Sequence, residues 1–354
     1  MPDPERRPFT APALAQRLLA TALLAAAAGA QAASFDCKAA RTPTEKAICG
    51  SPRLSALDDA LARDYERALK ALSAAGGASL KASQRSWLRY ATQVCTPRGP
   101  AGEGERRADC LAAEFDRRRA QLAQAGVRVG PWVFNRVDAY ASAPAPDGDG
   151  GVHSHYVTQH VAFPQIDVPD TPATRAWNAA QRKDAPGEIA APTAPDDVAE
   201  DDDSDYTLGC AGERFISVRS DNSQYQHGAA HGSDDHVVSN LRLVPSLRPL
   251  SADDFFAPGS PWKARLPGLF WDTYRHQADA ATDVDSIERA IRESAVNPAG
   301  WLATPDGLQI SFDAGEAGCT ACNPGPITLP WSALEPLRVA PELAACKAPP
   351  AAKR

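Results

Sequence analysis

Eight cysteines carry the most reactive chemistry in this chain: Cys37, Cys49, Cys95, Cys110, Cys210, Cys319, Cys322 and Cys346. All of them follow an N-terminal stretch with Arg6, Arg7 and Arg17, an apolar run from Leu18 to Ala28, and Ala30-Gln31-Ala32. A charged region, a short apolar core and an A-x-A site together read as a secretory signal peptide, residues 1–32. An even number of cysteines in an exported chain argues for disulfides, and four fall in each half. Four cysteines allow three pairings, so the spacing leaves the connectivity open. Cys319-Thr320-Ala321-Cys322 has the spacing of a redox pair. That chemistry wants its first cysteine at a helix N-terminus, whereas Asn323-Pro324-Gly325-Pro326 follows here, so a structural disulfide is expected. His227 and His231 would make a metal pair on a helix, but Gly228 and Gly232 argue against one. His153, His155 and His160 fall at alternating or irregular spacing in an expected strand. The sequence holds no G-x-S-x-G, H-E-x-x-H or phosphate loop. The expectation is a binding protein with no metal site and no cofactor, not an enzyme.

The 354 residues suffice for two domains with separate cores. Their charges differ in sign. Residues 34–125 hold 16 Lys+Arg and 11 Asp+Glu, a net of +5, and residues 126–354 hold 18 and 31, a net of -13. An acidic C-terminal half repels nucleic acid and attracts a basic partner, while equally serving plain solubility. The apolar run is too short to span a membrane, and no later stretch qualifies. Cys37 sits behind Ser34-Phe35-Asp36, which does not suit lipidation. The mature protein is expected to be soluble and periplasmic or secreted.

The pattern implies an α+β chain: a small disulfide-stapled helical domain over 34–125, then an α+β domain with an antiparallel sheet over 127–346. Thr42, Pro43 and Glu45 form a capping box, and Ser51-Pro52 starts a second helix. Leu54, Leu57, Leu61, Tyr65, Ala68 and Leu72 make one apolar stripe, which Gly76-Gly77 is expected to end. Further helices are expected over 79–95, with Leu80, Trp87, Leu88, Ala91 and Val94 inward, and over 105–123. Past Gly126 the spacing changes to strands, which places a boundary between about Gln124 and Gly130, with each half folding alone. Ala190 to Asp205, containing Glu200-Asp201-Asp202-Asp203, reads as a solvated loop. Short helices are expected near 174–181, after Ser251 and over 287–294. Residues 301–312 read as a hairpin.

Two stretches resemble known families. F-D-C-x-x-A-x-T-P-T-E-K-A-I-C from Phe35, then L-S-A-L-D, Tyr65, Gln84-Arg85-Ser86-Trp87-Leu88-Arg89-Tyr90, Cys95 and Cys110-Leu111, resemble lysozyme inhibitors of the LprI type over about Ser34 to Leu122. Ala91-Thr92 stands where that family usually has Arg-Asp. Phe163 to Ile166, Tyr225 to Gly232, Leu250 to Phe256, Asp306 to Phe312 and Ile327 to Leu334 resemble, in order, the extracytoplasmic lysozyme-sensing domain of RsiV-type anti-sigma factors, over about 127–337. Gly228-Ala229-Ala230-His231 stands for that family's G-G-A-H, and Gly315-Glu316 leads into a cysteine insertion. Those anti-sigma factors are tethered by a membrane helix that this chain lacks, so transmembrane signalling is not implied. Both resemblances imply a lysozyme-type muramidase, a basic protein, as partner. Charge and exposure nominate two loops for the contact, one with Arg98, Arg106 and Arg107, the other with Glu200, Asp201 and Asp202. A periplasmic envelope-maintenance or scaffold role without inhibition is the alternative, and an enzyme acting on peptidoglycan is a third.

Overall fold

The computed structural model describes residues 33–96, 103–145, 156–184, 199–277, 284–313, 316 and 325–348. The expected signal peptide, Arg98, His153, His155, Cys319 and Cys322 lie outside the described residues.

The first helix, α1 (Pro43–Gly50), begins at the capping box. Thr42 Oγ1 accepts from the Glu45 amide at 3.1 Å, and Glu45 Oε2 accepts from the Thr42 amide at 2.8 Å. Each bond satisfies an amide the first turn would leave unpaired. Ser51 caps α2 (Pro52–Ala71) through the Leu54 amide. Then follow α3 (Ala74–Val94) and α4 (Glu103–Leu122). Gly76 and Gly77 do not end a helix; they sit in the first turn of α3, and α2 stops at Ala71. The reason is a distant partner. Asp167 accepts from the Ser73 amide at 2.7 Å and the Ser73 hydroxyl at 2.5 Å, placing a carboxylate on the α3 N-terminus. A Cβ on Gly76 would stand 2.4 Å from Asp167 Oδ1, so only glycine admits that approach. Leu54, Leu61, Ala68, Leu80, Trp87, Ala91, Leu111, Phe115 and Leu122 form the helical core, whereas Leu88, expected inward, is 49% exposed.

Gly126, at φ +74°, turns the chain into β1 (Val127–Val129) and β2 (Trp132–Pro144). The seven-stranded sheet continues with β3 (Tyr156–Val168), β4 (Glu200–Ala211), β5 (Phe215–Gln226), β6 (Ser233–Arg242) and β7 (Arg248–Pro249), in sequence order. Every pairing is antiparallel except β3 with β4, which meet in parallel over only Gln159–Val161. A parallel pair needs a crossover, and α5 (Pro172–Asp184) lies within it. Asn178 of α5 donates to the Ile166 carbonyl and accepts from its amide at 2.9 and 2.8 Å, covering an edge that β4 leaves open. Glu200 to Asp205, expected in a loop, form the first half of β4. Their strand propensity is poor, but Thr158, Gln159 and His160 of β3 supply donors for the acidic row.

The remainder comprises α6 (Ala252–Phe255), α7 (Trp262–Gln277), α8 (Val284–Ala295), the three-stranded sheet β8 (Leu302–Ala303), β9 (Gly307–Ile310) and β10 (Ile327–Pro330), and the short helices α9 (Trp331–Leu334) and α10 (Pro341–Ala344). The sequence gives no sign of α7, because Pro267 lies inside it and Gly268 follows. Phe215, Phe255, Phe256, Phe270 and Trp301 fill this core. Disulfides join Cys37 to Cys49, Cys95 to Cys110 and Cys210 to Cys346. The last closes the longest loop and ties β4 to the C-terminal segment. No helix among the described residues is long and apolar enough to cross a membrane.

The Asp167 contact makes a paired prediction. Gly76→Ala forces Asp167 off Ser73 and is expected to cost about 1–3 kcal/mol. Gly77→Ala meets only the Leu69 side chain at 3.7 Å and is expected to be neutral or to stabilise by up to about 1 kcal/mol. Urea melts compare them; equal effects would contradict the contact.

Candidate functional site: a charged junction and the acidic groove beside it

Helices and sheet meet over a buried cluster of charges. On β2 the alternating residues Arg136, Asp138 and Tyr140 project toward α3 and α4. Arg118 of α4, fully buried, donates to Asp138 Oδ2 at 2.8 Å, to Gln84 Oε1 and Ser83 Oγ at 3.0 Å, and to Gln121 Oε1 at 3.2 Å. Arg136 donates to Asp138 Oδ1 and Asp205 Oδ1, both at 2.7 Å, and to Gln124 Oε1 at 2.9 Å, while its guanidinium lies 5.3 Å from the centre of the Tyr206 ring. His160 of β3 lies between two carboxylates, Nε2 3.1 Å from Asp138 Oδ1 and Nδ1 3.3 Å from Asp203 Oδ2. Its ring stacks on Tyr140 at 4.5 Å, and the Tyr140 hydroxyl donates to Gln121 Oε1 at 2.5 Å.

The electrostatics follow from these contacts. Burial pushes Asp138 up, but Arg136, His160 and Arg118 together outweigh it and hold the carboxyl well below the usual range. Burial pushes His160 down, but the hydrogen bonds to Asp138 and Asp203 outweigh it and raise the imidazole to about 9. With a carboxylate at each ring nitrogen, the imidazolium donates from both. Burial raises Asp203, and His160 reverses that and lowers it. On α4, burial raises the Glu114 carboxyl against the opposing pull of Arg117.

Asp203 and Asp205 also line a groove of about 490 Å³ with Asp221, Asp234 and Asp235, which Arg219, His236, Ser311 and Phe312 complete. Asp205 and Asp221 are directly opposed across β4 and β5, a pairing that costs stability when unrelieved. Arg136 and Arg219, the latter 2.8 Å from Asp221, relieve it. Arg219 also donates to Gln309 and Ser311, fixing β9 beside the groove. His236 Nδ1 lies 2.6 Å from Asp313. Arg136, Arg219 and the His160 imidazolium offset Asp205, Asp221 and Asp203, so Asp234 and Asp235 carry the negative field that the opening offers to cationic side chains.

The residues nominated from the sequence fall in different places. Arg106 is exposed, whereas Arg107 is buried and donates to Thr96 Oγ1 at 3.4 Å. Asp201 accepts from the Thr158 amide and hydroxyl and lies 3.0 Å from His227 Nε2. Asp202 accepts from Gln159 at 3.2 Å, and Glu200 is half-buried on the same strand. His231 turns to the Gly232 carbonyl, away from His227. Among the described residues no three His, Cys, Asp or Glu side chains are grouped as metal ligands. Sequence reasoning passed over Arg118, Arg136 and Asp138, and weighed His160 only as a metal ligand against a structural or surface role. The available signal was Arg136 and Asp138 alternating inside the apolar strand Val133–Tyr140, where a solvent-facing strand would not bury both.

Residues 37–122 match the model of the family described as lysozyme inhibitor LprI. No curated protein matches the chain. Crystal structures of a DUF3298 family member from Bacteroides fragilis and of one from Pseudomonas aeruginosa are similar to it at 16% identity, with TM-scores of 0.39 and 0.40. Each similarity covers 60% of this chain, and 98% and 96% of the respective structures.

His160 links stability to pH. Its folded value, about 9, lies above the ordinary value near 6.5, so its contribution is complete below about pH 6.5 and is lost as pH rises through 9. The loss expected between pH 6 and 9.5 is on the order of 3 kcal/mol, and His160→Gln flattens that slope. Denaturant melts at stepped pH measure both; a wild-type slope that survives the substitution would contradict the assignment.

Proposed function

We propose that this protein is exported, binds a lysozyme-type muramidase and slows its hydrolysis of cell walls. The observation that carries the reading is the match of residues 37–122 to the lysozyme inhibitor LprI model. That family is one of inhibitors and not of enzymes, which favours binding over catalysis. Three disulfides among the described residues favour a periplasmic or secreted location, with residues 1–32 as the signal peptide removed on export. The resemblance of 127–337 to the lysozyme-sensing domain of RsiV-type anti-sigma factors points to the same partner. We assign two units, 34–125 and 127–346, coupled through the buried charges between them.

Charge gives the reading a physical route. Muramidases of this type are basic outside, and their clefts carry two catalytic carboxylates. The -13 charge of residues 126–354 raises the encounter rate with such an enzyme, and the aspartate groove offers its rim cations a seat.

The mature protein is expected to slow a c-type or g-type lysozyme acting on cell walls. Binding is expected to weaken as salt rises, since exposed charges are screened beyond about 8 Å at physiological ionic strength. Cytochrome c, basic and without a cleft, is the control. Equal binding to both proteins, with full muramidase activity at a large excess, would contradict inhibition and favour a scaffold role.

A further inference from the structure

The outward face of α3 carries cations and no acid. Lys81, Arg85, Leu88, Arg89 and Thr92 are all exposed, and their spacing puts them in one stripe. The 21 residues of α3 include no aspartate or glutamate. Elsewhere in the helical part several exposed cations face carboxylates: Arg53 faces Asp109, Arg63 faces Asp59, Lys70 faces Glu66 and Arg119 faces Asp64. Lys81, Arg85 and Arg89 have no carboxylate partner among the described residues. A solvated helix face ordinarily mixes both signs.

The opposite face of the same helix is fixed. Leu80, Ser83, Trp87, Tyr90 and Ala91 are buried. Ser86 exchanges hydrogen bonds at 3.0 Å with the Tyr140 carbonyl and amide of β2. Asp167 holds the N-terminus. The stripe therefore stands on a rigid backing, and binding through it orders no backbone.

We propose that this stripe enters the carboxylate-lined cleft of the muramidase, with Arg85 and Arg89 facing its two acids and Leu88 packing between them. The proposal rests on the function assigned above and names the surface that performs it: an α-helix, in place of the loops nominated from charge. Four residues of helix rise about 6 Å, between the roughly 5–5.5 Å of paired glycosidase carboxylates in retaining enzymes and the roughly 6.5–9.5 Å of inverting ones, and the long arginine side chains span the difference. Guanidinium forks pair with carboxylates in two parallel bonds. A convex helix suits a cleft, and the aspartate groove remains for the enzyme's basic rim.

The test uses the full mature chain and a c-type lysozyme. Arg85→Glu with Arg89→Glu is expected to weaken binding and inhibition at least about tenfold, with an unchanged circular dichroism spectrum. Arg85→Gln with Arg89→Gln, a gentler pair, is expected to lie between the two. Lys38→Glu with Lys46→Glu alters net charge equally at exposed positions of the first helical turns and is expected to leave inhibition intact. Chitotriose in the cleft is expected to compete, and lysozyme with both catalytic acids amidated is expected to bind poorly. Undiminished inhibition by both arginine pairs would overturn the stripe while the function stands. A wild-type chain that neither binds nor inhibits would overturn both. Binding to anionic vesicles as tight as to lysozyme, and lost in the same variants, would assign the stripe to a membrane surface and overturn its role in the cleft.

Discussion

The ion pair of Arg118 with Asp138 is the constraint on which this architecture depends. A guanidinium with no solvent exposure is tolerable only if every side of it is answered, and here α3, α4 and β2 all contribute. Asp138 in turn receives Arg136 and His160, and His160 and Arg136 reach Asp203 and Asp205 on β4. Each charge fixes the next, from the helical core to the rim of the groove. Replacing one member strands the others in a medium of low polarity, a larger penalty than the pair's own net worth.

The sequence revealed what is local. The capping box at Thr42 and the Ser51 start use residues three positions apart, so their partners were in view. The helical stripes and the 301–312 hairpin were legible for the same reason. What failed depended on residues far along the chain. Gly76-Gly77 reads as a stop until Asp167, 94 residues beyond Ser73, is placed on the helix N-terminus. Glu200 to Asp205 read as solvated coil because their partners, Arg136, His160 and His227, come from β2, β3 and the turn after β5. Pro267 hid α7, and spacing left the disulfide partners open. Of the candidate site, the acidity of the C-terminal half was legible. The groove itself was not, since strand pairing gathers its aspartates from three segments.

Under the proposed function the two charged surfaces would divide the work of recognition. The aspartate groove belongs to the sheet and the cationic stripe to α3, and the buried cluster lies between the elements that carry them. An enzyme that is basic outside and acidic within its cleft presents the complementary arrangement. In that proposal, attraction over distance comes from the -13 half, while fit at close range falls to a rigid helix.

With the buried charges joining them, the helical and sheet units must behave as one body, although their apolar clusters are largely separate. Differential scanning calorimetry of the disulfide-intact mature chain tests that most directly. Coupling through Arg118, Asp138 and His160 predicts a single transition, with calorimetric and van't Hoff enthalpies equal. Two resolved transitions, one belonging to each unit, would contradict it.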